Sequence, residues 1–99
     1  MSAQSPFTQA FPTPTACFSV SATADPGVML RVLEVFAKRG LVPSRCYSTV
    51  VGPAGAGIHI DLQVLGIDVG LRERIAETLR QVPTVETVLT SEKRAAMTA

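Results

Sequence analysis

The stretch Asp25-Pro26-Gly27-Val28-Met29-Leu30-Arg31-Val32-Leu33-Glu34-Val35-Phe36-Ala37-Lys38-Arg39-Gly40 reads as one helix with both ends marked. Asp25 is a residue type that caps the free N–H groups of a first turn. Pro26 suits the first helical position, where its missing N–H costs nothing. Lys38 and Arg39 are expected in the last turn, facing the negative end of the helix dipole, and Gly40 can take the left-handed conformation that ends a helix. Val28, Met29, Val32, Leu33, Val35 and Phe36 form a broad apolar stripe, and Arg31, Glu34, Lys38 and Arg39 fall mainly opposite it.

On either side of this helix the pattern changes to a period of two. Upstream, Ala16 to Thr23 alternates, with Phe18, Val20 and Ala22 pointing one way and Cys17, Ser19 and Ser21 the other. Downstream, a second strand is expected from Leu41 to about Val51, with Pro43 suited to an edge or a strand start. The segment Gly52-Pro53-Ala54-Gly55-Ala56-Gly57 is a loop. Ile58, His59, Ile60, Asp61, Leu62, Gln63 and Val64 then alternate cleanly, with the isoleucines, Leu62 and Val64 as the buried set. A second helix opens at Gly66 and Asp68, with Asp68 as its cap, and carries Leu71, Ile75, Ala76, Leu79 and Val82 on one side. Pro83 stops it, and Val85 to Thr90 is a short last strand.

The order strand, helix, strand, strand, helix, strand, with right-handed crossovers, implies an α+β, ferredoxin-like βαββαβ domain. Its four-stranded antiparallel sheet has strand order 4-1-3-2 and both helices on one face. The domain spans residues 16–90. Residues 1–15, broken by Pro6, Pro12 and Pro14, are expected to be a disordered tail, and 91–99 a polar C-terminal tail.

Composition narrows the function. The 99 residues suffice for one domain, 46% apolar and 17% charged, with a net charge of +1. No run of like charge is long enough to grip nucleic acid, and no apolar run approaches the ~20 residues that span a bilayer. Neither a secretory leader nor a metal-ligand spacing is present, so Cys17 and Cys46 are expected to be reduced thiols in a cytoplasmic protein without a metal or cofactor. The open sheet face offers Ser, Cys, His, Asp and Gln rather than the aromatics of an RNA-recognition domain. The loop before the first helix has no Cys-x-x-Cys pair for a metal chaperone, and no arginine for an acylphosphatase. Ser19, Ser21, His59 and Asp61 share a face, yet a flat sheet supplies neither pocket nor oxyanion donors, so the chain is read as a non-enzyme.

The pattern Asp25-Pro26-Gly27-Val28-Met29-x-Arg31-Val32-x-x-x-Phe36-x-x-Arg39-Gly40, followed by Ile58 to Val64, resembles the ACT domains, small regulatory modules that bind amino acids. Within that family it is most similar to the small regulatory subunits of acetolactate synthase, over roughly Cys17 to Leu89. Several members carry Asn before or near the Pro-Gly pair, where this chain has Asp25. The resemblance implies a cytoplasmic homodimer in branched-chain amino acid biosynthesis. Its partner would be a thiamine-diphosphate synthase large subunit, and its ligand a small-molecule amino acid. It nominates Asp25, Pro26, Gly27 and Val28 on one subunit, facing Ser44, Arg45 and Cys46 across the interface.

Elementary chemistry agrees at the first of these positions. Free N–H groups on Gly27 and Val28 at a helix start favour a carboxylate, Gly27 allows close approach, and Asp25 suits an α-ammonium. A plain helix cap remains the other reading of Asp25. A free-standing ACT dimer that senses an amino acid or other small ligand without an enzyme partner is the alternative function. For a docked synthase, the remaining surfaces are the open sheet face and the tail with Phe7 and Phe11.

Overall fold

The computed structural model describes residues 14–94. Of the expected tails 1–15 and 91–99, residues 1–13, with Phe7 and Phe11, and 95–99 lie outside the described residues. Within them the order is β1 (Thr15–Thr23), α1 (Val28–Ala37), β2 (Arg45–Val51), β3 (Gly57–Val64), α2 (Val69–Arg80) and β4 (Val85–Lys93). The sheet is antiparallel with order β2-β3-β1-β4, the expected ferredoxin-like arrangement.

Alternation along β1 and β3 builds the floor of the core. Phe18, Val20 and Ala22 are buried opposite Leu62, Ile60 and Ile58, their register partners. Val28, Val32, Val35 and Phe36 of α1 and Ile75, Ala76 and Leu79 of α2 close over them. Phe36 meets Phe18 edge to face, with ring centroids 5.4 Å apart, the arrangement aromatic quadrupoles prefer. On β4, Val85 and Val88 both join this core although they are three residues apart. A register shift opposite Ser21 and Ala22 makes this possible, because the extra residue turns the strand over once.

Several boundaries differ from expectation: β1 already starts at Thr15, the last residue of the expected disordered tail, where it pairs with Lys93, and β3 takes in Gly57 from the expected loop. The first helix begins at Val28, with Gly27 rather than Asp25 in the cap position. Asp-Pro-Gly favours a turn over a helical start: Val28 N–H donates to the Asp25 carbonyl at 3.0 Å and Gly27 N–H to Asp25 Oδ2 at 3.0 Å. Pro26 is therefore a turn residue. β2 begins at Arg45, because Ser44 N–H bonds the Gln63 carbonyl and residues 41–43 only approach the sheet. β4 continues to Lys93, three residues into the expected polar tail, because β1 lies beside it as far as Thr15 and offers a ladder.

α1 ends at Ala37, so Lys38 is its C-cap and Arg39 lies beyond it rather than in the last turn, while Gly40 takes the expected left-handed conformation. Gly40 has φ of 70°, Gly40 N–H reaches the Ala37 carbonyl and Leu41 N–H the Phe36 carbonyl, both at 2.9 Å. Those two bonds satisfy carbonyls that a helix end otherwise leaves open. Asp68 caps α2 as expected, its Oδ1 accepting from Leu71 N–H at 2.8 Å. The edge strand β2 is exposed at every residue, since neither helix covers it.

Candidate functional site

The β1–α1 loop leaves the sheet beside the end of β3, where Ala24 N–H donates to the Ala56 carbonyl at 2.9 Å. Its chemistry centres on one carboxylate oxygen. Asp25 Oδ2 accepts from Gly27 N–H at 3.0 Å and from Arg31 Nη1 at 3.2 Å. The N–H groups of Gly27 and Val28, proposed from sequence as free donors, are thus both held by Asp25, one by its side chain and one by its carbonyl. Gly27 has φ of −90°, so its backbone accepts any residue. Its value is space: a Cβ there would lie 3.0 Å from Arg31 Nη1 and 3.4 Å from Asp25 Oδ2. Arg31, placed on the solvent side from sequence, belongs to this cluster. Its spacing of six from Asp25 is not a helical neighbour spacing, and only the turn at Pro26-Gly27 brings the two together.

Ser44, Arg45 and Cys46 sit elsewhere in the same chain. β2 pairs with β3 so that Val51 lies opposite Gly57, near the loop, and Arg45 opposite Gln63, at the far end. Six residues of strand, about 20 Å, separate the two groups. The three residues also diverge. Ser44 Oγ donates to the Gln63 carbonyl at 3.2 Å. Arg45 lies on the open sheet face with Cys17 and Gln63. Cys46, paired with buried Leu62, lies on the helix side, where partial burial raises its thiol pKa. β3 separates the strands bearing Cys17 and Cys46, and the two thiols face opposite sides of the sheet.

On the open face, His59 stands between three neighbours. Its Nε2 lies 3.0 Å from Ser19 Oγ and 3.3 Å from Asp61 Oδ1, and its Nδ1 lies 3.4 Å from Ser21 Oγ. The sequence brought these four together correctly. Ser19 and Asp61 share one ring nitrogen, so Asp61 cannot hold the ring from behind while Nε2 takes a proton from Ser19. Both serines lie on the central strand β1, which pairs with β3 on one side and β4 on the other. Its amides belong to those ladders, leaving no pair of donors for an oxyanion.

A wider concavity of about 400 Å³ adjoins this cluster on the same face, walled by Arg45, Tyr47, Asp61 and Lys93. Among the described residues no group of His, Cys, Asp or Glu side chains is placed to hold a metal ion, and no helix is long and apolar enough to cross a membrane.

No family model matches the chain, and no curated protein matches it. Solved structures do. The ACT domain from GTP pyrophosphokinase of Chlorobium tepidum superposes with a TM-score of 0.66 at 15% identity, covering 80% of this chain and 100% of that one. The C-terminal domain of the MgtC protein from Mycobacterium tuberculosis gives 0.65 at 14% identity, over 87% and 94% of the two chains. The regulatory subunit of aspartate kinase from Thermus thermophilus gives 0.61 at 16% identity, over 81% of this chain and 56% of that one. At these identities the likeness is one of fold: the chain has the architecture that ACT domains have.

Proposed function

We propose that this protein is a regulatory module that binds an amino acid as a homodimer joined through β2, and that it has no catalytic role of its own. The observation that carries the reading is the position of an uncovered edge strand beside a glycine loop. β2 exposes both faces and one row of backbone groups, with Tyr47 63% and Val50 61% exposed. Such edges are normally covered. A two-fold axis through the middle of β2 sets the partner's strand antiparallel, so that the Arg45 end of one strand lies beside the Val51 end of the other. The residues that stand about 20 Å apart within a chain then meet across the interface, Asp25 to Val28 from one subunit and Ser44 to Cys46 from its partner. The architecture supports the same reading, because its solved neighbours include an ACT domain and a regulatory subunit of aspartate kinase.

The loop chemistry supplies an exchange. Asp25 Oδ2 accepts from Gly27 N–H and pairs with Arg31. A ligand carboxylate replaces the Asp25 side chain at these two donors, and the released Asp25 carboxylate accepts from the ligand's ammonium. Every charge keeps a partner, so the exchange avoids stranding an unpaired group. Within this reading, the motif from Asp25 to Gly40 points to a small subunit similar to that of acetolactate synthase, serving a thiamine-diphosphate synthase of branched-chain amino acid biosynthesis in the cytoplasm.

Calorimetry with branched-chain and other amino acids tests the site. Wild type binds, and Gly27→Asp, which fills the space and adds a like charge, loses binding while staying folded. Equal affinity in both removes the loop from the site. Affinity purification from source lysate tests the partner: recovery of the synthase large subunit supports it, and a dimer that binds an amino acid yet retains no synthase is a free-standing sensor.

A further inference from the structure

We propose that the open-face concavity is a second binding site, distinct from the β1–α1 loop although its Arg45 also borders the proposed β2 interface, for a small ligand carrying two anionic groups and one ammonium, as in an acidic amino acid. The concavity measures about 400 Å³, within the range of small-molecule sites. Its walls are charged in a definite pattern. Arg45 comes from the β2 edge, Lys93 from the β4 edge, and Asp61 from β3 between them. The edges are three strand spacings, about 14 Å, apart. Two long cationic side chains leaning inward from them leave room for a molecule with an acidic group at each end.

Among the described residues neither Arg45 nor Lys93 has a carboxylate within ion-pair distance, whereas Arg31, Arg72, Arg80 and Arg94 all do. The two cations that border the concavity are therefore available to an outside anion. Asp61 reaches His59 Nε2 at 3.3 Å with Oδ1, and its other oxygen is the acceptor for an ammonium. Two cations and one carboxylate carry a net +1, which complements a ligand of net −1. The floor offers the Gln63 amide and the Cys17 thiol, and the Tyr47 ring stands at one side. The shape is open and polar, so affinity is modest, and charge rather than apolar burial sets selectivity.

The test is backbone amide NMR on the ¹⁵N-labelled full chain, titrated separately with L-glutamate, L-aspartate and succinate. Glutamate or aspartate shifts the amides of Cys17, Gln63 and Ser91 saturably, and the tighter of the two names the length of diacid that fits. Lys93→Ala weakens that binding about tenfold. Asp61→Asn weakens the ammonium-bearing ligand and tightens succinate, which no longer meets a like charge. Dispersed spectra of both variants show that they fold. Absence of saturable shifts on the open face, or equal affinity in Lys93→Ala, overturns the proposal. Shifts confined to Gly27 and Val28 overturn it too, while leaving the loop site standing.

Discussion

Thr84 holds an uncomfortable backbone. Its φ is 77°, a conformation that a β-branched residue rarely adopts, and its hydroxyl is buried without a hydrogen-bond partner. The position persists because the Thr84 carbonyl accepts from Thr23 N–H at 2.9 Å, tying the α2–β4 turn to the end of β1. Thr84→Gly keeps that carbonyl and removes the side-chain clash, and is expected to raise unfolding free energy by about 1 kcal/mol in urea titration. Glu73 is held below the ordinary glutamate pKa, first by its hydrogen bond from Arg72 Nε at 3.0 Å and then by that from the Thr90 hydroxyl at 2.9 Å. A lowered folded-state pKa means that its contribution to stability is complete above the ordinary glutamate pKa and is lost as pH falls through the lowered value. Carboxyl-carbon NMR should show Glu73 titrating below an unperturbed glutamate, and Thr90→Val should move it upward. At the loop, Arg31→Ala removes an exposed ion pair, so stability changes by less than about 1 kcal/mol. Amino-acid affinity, read by calorimetry, should fall several-fold under the exchange proposed above.

The two helix starts differ although both carry an aspartate. Asp68 precedes a residue with a free N–H and caps through Leu71 N–H. Asp25 precedes Pro26-Gly27, and its side chain closes a turn at Gly27 N–H instead. Asp68→Ala should therefore cost about 1 kcal/mol in urea unfolding, the usual loss of a cap. Period-two alternation of Phe18, Val20 and Ala22 and of Ile58, Ile60 and Leu62 made the central strands legible, because one face is buried and the other is not. β2 was less so. It buries no residue, its start is set by Ser44 bonding Gln63 from another strand, and no local pattern marks that point. The continuation of β4 to Lys93 likewise depends on β1 running alongside rather than on Ser91, Glu92 or Lys93 themselves. The same limit applies to the sites. Asp25 and Gly27 stand out in the sequence, but Arg31 joins them only through the turn. Arg45 and Lys93 meet over one concavity only because the strand order sets them on opposite edges of the same face.

For the whole molecule, the core explains stability of the single chain but leaves β2 without cover. Phe18, Phe36, Ile60, Leu62, Ile75 and Leu79 are fully buried between α1, α2 and the three strands β3, β1 and β4, while Tyr47, Val50 and Val51 of β2 stay in solvent. In the proposed dimer, a second copy paired along that strand covers the edge and completes the loop site in one step. Sedimentation velocity of the full chain at micromolar concentration, alone and with the best-binding amino acid from calorimetry, tests it most directly. A species of twice the 10.5 kDa chain mass is expected, tightened by the ligand because each proposed site draws residues from both subunits. A single-chain species under both conditions would contradict it.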